Sequence, residues 1–175
     1  MLHGRGGEAC AFMTVYYPPK GSMTPERGTM WDNQLREMQK GDGYGVLGVR
    51  AGQNNPRAQL TKDLAEVLRG MSDKGVGMIA HIDANLPVRR GDCDVAQQRE
   101  WDALESAIKG AGMMCVNREA WGTHGGMWSY RGGTKDGMES TSWIDWVCVS
   151  RHMWVDGIVT GMWMVDEALA GSDHR

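Results

Sequence analysis

Met78-Ile79-Ala80-His81-Ile82-Asp83-Ala84-Asn85 decides how this chain is read. The short apolar run follows Gly75 and Gly77 and predicts a buried strand, with the polar pair Asp83 and Asn85 falling where that strand should end. In α/β proteins, binding and catalytic groups gather at strand ends. Residues two apart on a strand end point to the same side, so a carboxylate and a carboxamide would reach one site together. The competing reading is an ordinary turn in which Asp and Asn bond their own backbone. The sequence downstream favours a site.

With 175 residues, the chain can form one domain with a substantial core. A hydrophobic content of 41% against 23% charged residues describes a globular protein. No apolar run is long enough to span a bilayer, and the first eight residues lack the apolar core of a signal peptide. Nothing directs the chain to a compartment, and an intracellular site is expected. The net charge of -3 opposes a broad basic surface for non-specific nucleic-acid binding and leaves room for a local basic groove. Cys10, Cys93, Cys115 and Cys148 are dispersed, without zinc spacing, and are expected to be reduced structural thiols.

Residues 11–17 form an aromatic and β-branched strand halted by Pro18 and Pro19. Thr29 could cap a helix over residues 30–40. Gly43, Gly45 and Gly48 match a dinucleotide fingerprint in spacing, but no strand precedes them and no helix follows directly, so the match is rejected. Asn55 and Pro56 open a helix with Leu60, Leu64, Val67, Leu68 and Met71 along one side. A loop with Arg89 and Arg90 precedes a third helix over 97–111, which carries Trp101, Leu104 and Ile108 inward. Residues 113–116 predict a strand, and 117–140 a long loop. That loop's Trp128, Tyr130 and Arg131 suit stacking on bases and contact with phosphates. Residues 143–149 predict a strand with Asp145 inside it, a carboxylate that is costly to bury without a partner. Weaker strand signals lie at 154–159 and 161–165.

Four features stand in order: Tyr16-Tyr17-Pro18; Ile82-Asp83-Ala84-Asn85; Ser142-Trp143-Ile144-Asp145-Trp146-Val147-Cys148-Val149-Ser150; and Ser172-Asp173-His174-Arg175. The series resembles the endonuclease/exonuclease/phosphatase superfamily, which includes deoxyribonuclease I. The Pro56-Arg57 helix start and Trp128-Ser129-Tyr130-Arg131 look most like the endonuclease domains of non-LTR retrotransposon polyproteins. The resemblance implies a four-layer α/β sandwich, with residues 1–175 as its later part and the first strands and their metal-binding glutamate missing. A fragment, from a partial gene or a degraded retroelement, is therefore expected.

By the same resemblance, Asp83 would deprotonate or orient the attacking water, and Asn85 would donate to the phosphate or hold Asp83. His174 would contact the scissile phosphate with Asp145 behind its ring, and Tyr16 would reach the phosphate. Asp173 would be the metal-side carboxylate for Mg2+ or Mn2+, a hard cation suited to oxygen ligands. Trp128, Tyr130 and Arg131 would grip the backbone phosphates of DNA, and the full-length protein could carry a fused reverse transcriptase. The implied function is metal-dependent phosphodiester hydrolysis, as a retroelement endonuclease. The alternatives are a phosphatase acting on a lipid or sugar phosphate with the same site, or a catalytically silent remnant.

Overall fold

The computed structural model describes residues 2–3, 9–19, 32–34, 55–121, 129–135 and 138–161. Their architecture is mixed α/β. A five-stranded sheet has the order β1-β2-β3-β7-β4, with β1 at Leu2–His3, β2 at Ala9–Tyr16, β3 at Gly77–Asp83, β4 at Met113–Cys115 and β7 at Asp145–Ser150. Strands β2 and β3 run parallel, and the remaining neighbours are antiparallel. A separate hairpin joins β5 (Tyr130–Lys135) to β6 (Met138–Ser142). The helices are α1 (Pro56–Ser72), α2 (Val95–Gly110), α3 (Val116–Trp121) and α4 (Arg151–Val155), with a 3-10 turn at Arg90–Asp92.

Local signals start the two long helices. The Asn55 side chain accepts from the Arg57 and Ala58 amides, with Pro56 in the first turn where its missing N–H costs nothing. Asp94 and Gln97 form a reciprocal capping box at the start of α2. Gly75, at φ +68°, lets the chain turn from α1 into β3.

Strand alternation gives the sheet two unlike faces. Met78, Ala80 and Ile82 of β3, with Trp146 and Cys148 of β7, meet Leu64 and Leu68 of α1 and Trp101, Leu104 and Ile108 of α2 in one core. Phe12, Thr14 and Tyr16 of β2, with His81 of β3, lie exposed on the other face. The Trp101 and Trp146 rings sit 5.5 Å apart, tilted by 55°. Among the described residues, no helix is long and apolar enough to cross a membrane. Cys10, Cys93, Cys115 and Cys148 are all free thiols, as expected.

Several sequence expectations need correction. Among the described residues, the segment 117–140 contains part of α3, where Arg118, Glu119 and Ala120 are helix formers, and most of the hairpin. The strand expected at 154–159 gives way to the end of α4 and a turn, with the Asp156 amide bonded to the His152 carbonyl and Gly157 at φ +69°. The strand expected at 143–149 begins at Asp145. Val67, placed on the inner side of its helix, is 47% exposed, because the buried stripe is centred on Leu64 and Leu68. Residues 32–34 are helical, as expected. The rest of that helix, the glycine motif at 43–48 and the strand signal beyond residue 161 lie outside the described residues.

Leu68, fully buried, and Val67, on the same helix, separate core packing from helix propensity. Leu68→Ala is expected to cost about 3 kcal/mol and Val67→Ala under about 1 kcal/mol in urea unfolding; equal costs would mean that the wrong helix face has been assigned to the core.

Candidate active site at the carboxyl end of strand β3

Three strands bring the site residues into one row. Tyr16 is the register partner of Asp83, and Asp83 is the partner of Asp145. With one face shared across paired strands, a phenol and two carboxylates from segments far apart in sequence line the same end of the sheet. Burial and the nearby Asp83 charge both raise the Tyr16 pKa, and a hydrogen bond with the Asn85 side chain partly offsets them.

Asn85 ties the turn after β3 to the chain after β2. Its amide donates to the Asp83 carboxylate at 3.3 Å, the Asx-turn bond. Its own side chain donates to the Tyr17 carbonyl at 2.7 Å, and its backbone is left-handed at φ 46°. A non-glycine residue in that region is uncommon and costs energy, so the surroundings must hold it.

They do so from several sides. The Ala84 amide donates to the Ile144 carbonyl and the Val88 amide to the Trp143 carbonyl. The Trp146 and Trp101 indoles donate to the Leu86 and Val88 carbonyls at 3.2 and 3.3 Å. Ala84, Leu86 and Val88 are buried.

Arg57, which the sequence reading used only as a family marker, is the buried clamp beneath this segment. Its guanidinium donates to the Ala84 carbonyl at 2.5 Å and the Pro18 carbonyl at 3.5 Å, and lies 5.6 Å from the Tyr17 ring centroid. Arg57 Nε sits 3.1 Å from a Glu100 carboxylate oxygen without the alignment of a hydrogen bond, so that contact acts as an ion pair. Burial lowers the Arg57 pKa, opposed mainly by Glu100. The Tyr17 phenol, bonded to Thr61, is pushed up to about 12 by burial. A small cleft of about 150 Å³ opens here, lined by Pro19, Arg57, Asn85, Leu86, Gln97 and Glu100.

Asp145 has an equally built mount. Ser129 Oγ accepts from the Ile144 and Asp145 amides at 3.1 and 3.0 Å, and the Asn117 side chain donates to the Asp145 carbonyl at 2.7 Å. The buried carboxylate meets His81 Nε2 at 3.0 Å. The His81 pKa is raised chiefly by this hydrogen bond, against burial, with the charges of Asp145 and Asp83 adding to the rise. His81, Arg57, Ser129 and Asn117 were not singled out as site residues in the sequence; Arg57 and Ser129 appeared there only within family-like segments.

Arg90 pairs through two nitrogens with Asp102 at the surface, and Arg89 lies over Trp143. Both thus have partners within the chain. A larger cleft, about 630 Å³, is lined by residues including Lys109, Arg118, Arg151 and Trp154 toward the far end of β7. It is remote from the row of site residues, and Glu105 pairs with both Lys109 and Arg118 there. Tyr130 and Arg131 belong to β5, but their side chains, together with Trp128, Asp173 and His174, lie outside the described residues.

Removing Arg57 leaves Glu100 without its guanidinium partner. Arg57→Ala is expected to cost about 3–5 kcal/mol and to speed hydrogen exchange at the Ala84 and Val88 amides more than at Ile79; unchanged protection of those two amides would refute the clamp. For His81, the raised folded pKa means that its stabilisation is complete below the unfolded value and lost as pH rises through the folded one. The difference in urea midpoint between the chain and His81→Gln should thus be larger at pH 6 than at pH 9, and a pH-independent difference would show that the ion pair contributes nothing.

The chain matches no protein-family model and no curated protein.

Proposed function

We propose that this chain is part of a phosphodiester hydrolase, a DNA endonuclease with the four-layer sandwich of the deoxyribonuclease I type. The observation that carries the reading is the convergence of Tyr16, Asp83, Asn85 and Asp145, which the resemblance implied from three separate segments, at one sheet end.

Asp83 is the base. Half-buried and held in an Asx turn, its carboxylate takes a proton from water as the water oxygen attacks phosphorus; the P–O bond to one sugar oxygen breaks, and that oxygen leaves with the electron pair and is protonated from solvent. The Tyr16 phenol, with its raised pKa, stays protonated at neutral pH and can donate to a phosphoryl oxygen. Asn85 holds the turn to the end of β2, and Arg57 holds the turn from below. Among the described residues no group of three His, Cys, Asp or Glu side chains could hold a metal, and Asp173 lies outside them. Magnesium at Asp173 is part of this proposal; a bound ion would neutralise charge on the phosphate.

Nicking of supercoiled plasmid tests the reading. Activity is expected with magnesium, absent with chelator, and reduced at least about 100-fold by Asp83→Ala. Folded protein whose nicking is indifferent to both magnesium and Asp83 would overturn it and leave the silent remnant.

A further inference from the structure

The row at the sheet end poses an electrostatic problem for any phosphate ligand. Asp83 and Asp145 are direct cross-strand partners, and like charges so placed repel each other and an approaching anion. Arg57 carries a positive charge nearby, but it is buried and committed to Ala84, Pro18 and Glu100. His81 is different. It stands one pleat behind Asp83 on the open face, between Thr14 of β2 and Val147 of β7 in the register. Its ring reaches diagonally to Asp145, and its side chain remains 50% exposed where that of Asp145 is 9%.

We propose that His81 is the phosphate-contacting cation of this site: Asp145 holds its imidazolium through Nε2, and Nδ1–H donates to a non-bridging oxygen of a phosphodiester. The inference rests on the phosphodiester reading and departs from the resemblance, which sets His174 and not His81 against Asp145. The buried Asp145 carboxylate fixes the ring through one nitrogen, and the other nitrogen is the one that would donate to the ligand. Among the described residues, the charged groups that act on it are Asp145 from β7 and Asp83 from its own strand, with the Tyr16 phenol beside Asp83 on β2. The two carboxylates favour the charged ring, so the contact is a charge-assisted hydrogen bond.

The dinucleotide d(TpT) is the probe, with magnesium present, and the readouts are its affinity and the His81 ring signals in nuclear magnetic resonance. In the unaltered chain, d(TpT) is expected to shift the His81 signals and to bind more tightly at pH 6 than at pH 9. His81→Gln should weaken binding about tenfold at pH 6 and remove that dependence. Asp145→Asn should move the midpoint of the dependence to lower pH, which a merely structural role for His81 would not do. His152→Gln, on exposed α4, serves as the control. Binding that leaves the His81 signals unmoved, or that survives His81→Gln with its pH dependence intact, overturns the inference while Asp83-dependent nicking keeps the phosphodiester reading. Absence of both d(TpT) binding and nicking overturns the two together.

Discussion

A single buried guanidinium ties together the elements on which the site is built. Arg57 reaches the chain after β2 through Pro18, the chain after β3 through Ala84, and helix α2 through Glu100, while itself opening helix α1. Removing a charge of this kind from water is expensive, and only a full set of partners compensates it. The carbonyls of Pro18 and Ala84 would in turn be costly to bury without donors. The arginine and its surroundings therefore fix one another: the strand ends cannot separate without stranding a charge, and the left-handed Asn85 turn has a rigid base.

Above that base, two indoles hold the packing. Trp101 and Trp146 fill the core and also donate to the carbonyls at 86 and 88. Core packing and site geometry are thus held by the same two side chains, which explains why a loop carrying polar site residues can be buried at alternate positions. The Asp145 side of the site is organised differently, by short polar side chains. Ser129 and Asn117 satisfy backbone groups at the start of β7, at the point where chain from the hairpin enters the sheet.

Much of the framework was legible in the sequence because it rests on local rules. Apolar repeats marked α1 and α2, and β-rich runs marked β2, β3 and β7. The hairpin was not, since Gly132 and Gly133 interrupt β5 where its register shifts, and no alternation survives to be read. Helix α4 was hidden by Trp154 and Val155, whose strand preference loses to the turn that follows. In the site, the Asp83 and Asn85 pair was legible as a turn and as a site, and it is built as the turn. The His81 partnership with Asp145 was not, because it joins residues 64 positions apart and depends on strand register. Arg57 was visible only as a helix-start residue; its burial follows from where three other elements end.

That same register sets what kind of genetic change the protein can absorb. Tyr16, Asp83 and Asp145 align only because β2, β3 and β7 hold a fixed phase, and a shift of one residue turns every side chain of a strand to the opposite face. One codon gained or lost within β3 would aim Asp83 at the helices and Ile82 at the open face. The same event between β5 and β6 would fall outside this three-strand alignment. Within β2, β3 and β7 an insertion or deletion therefore misdirects the whole row at once, whereas a substitution leaves the phase of the strands intact.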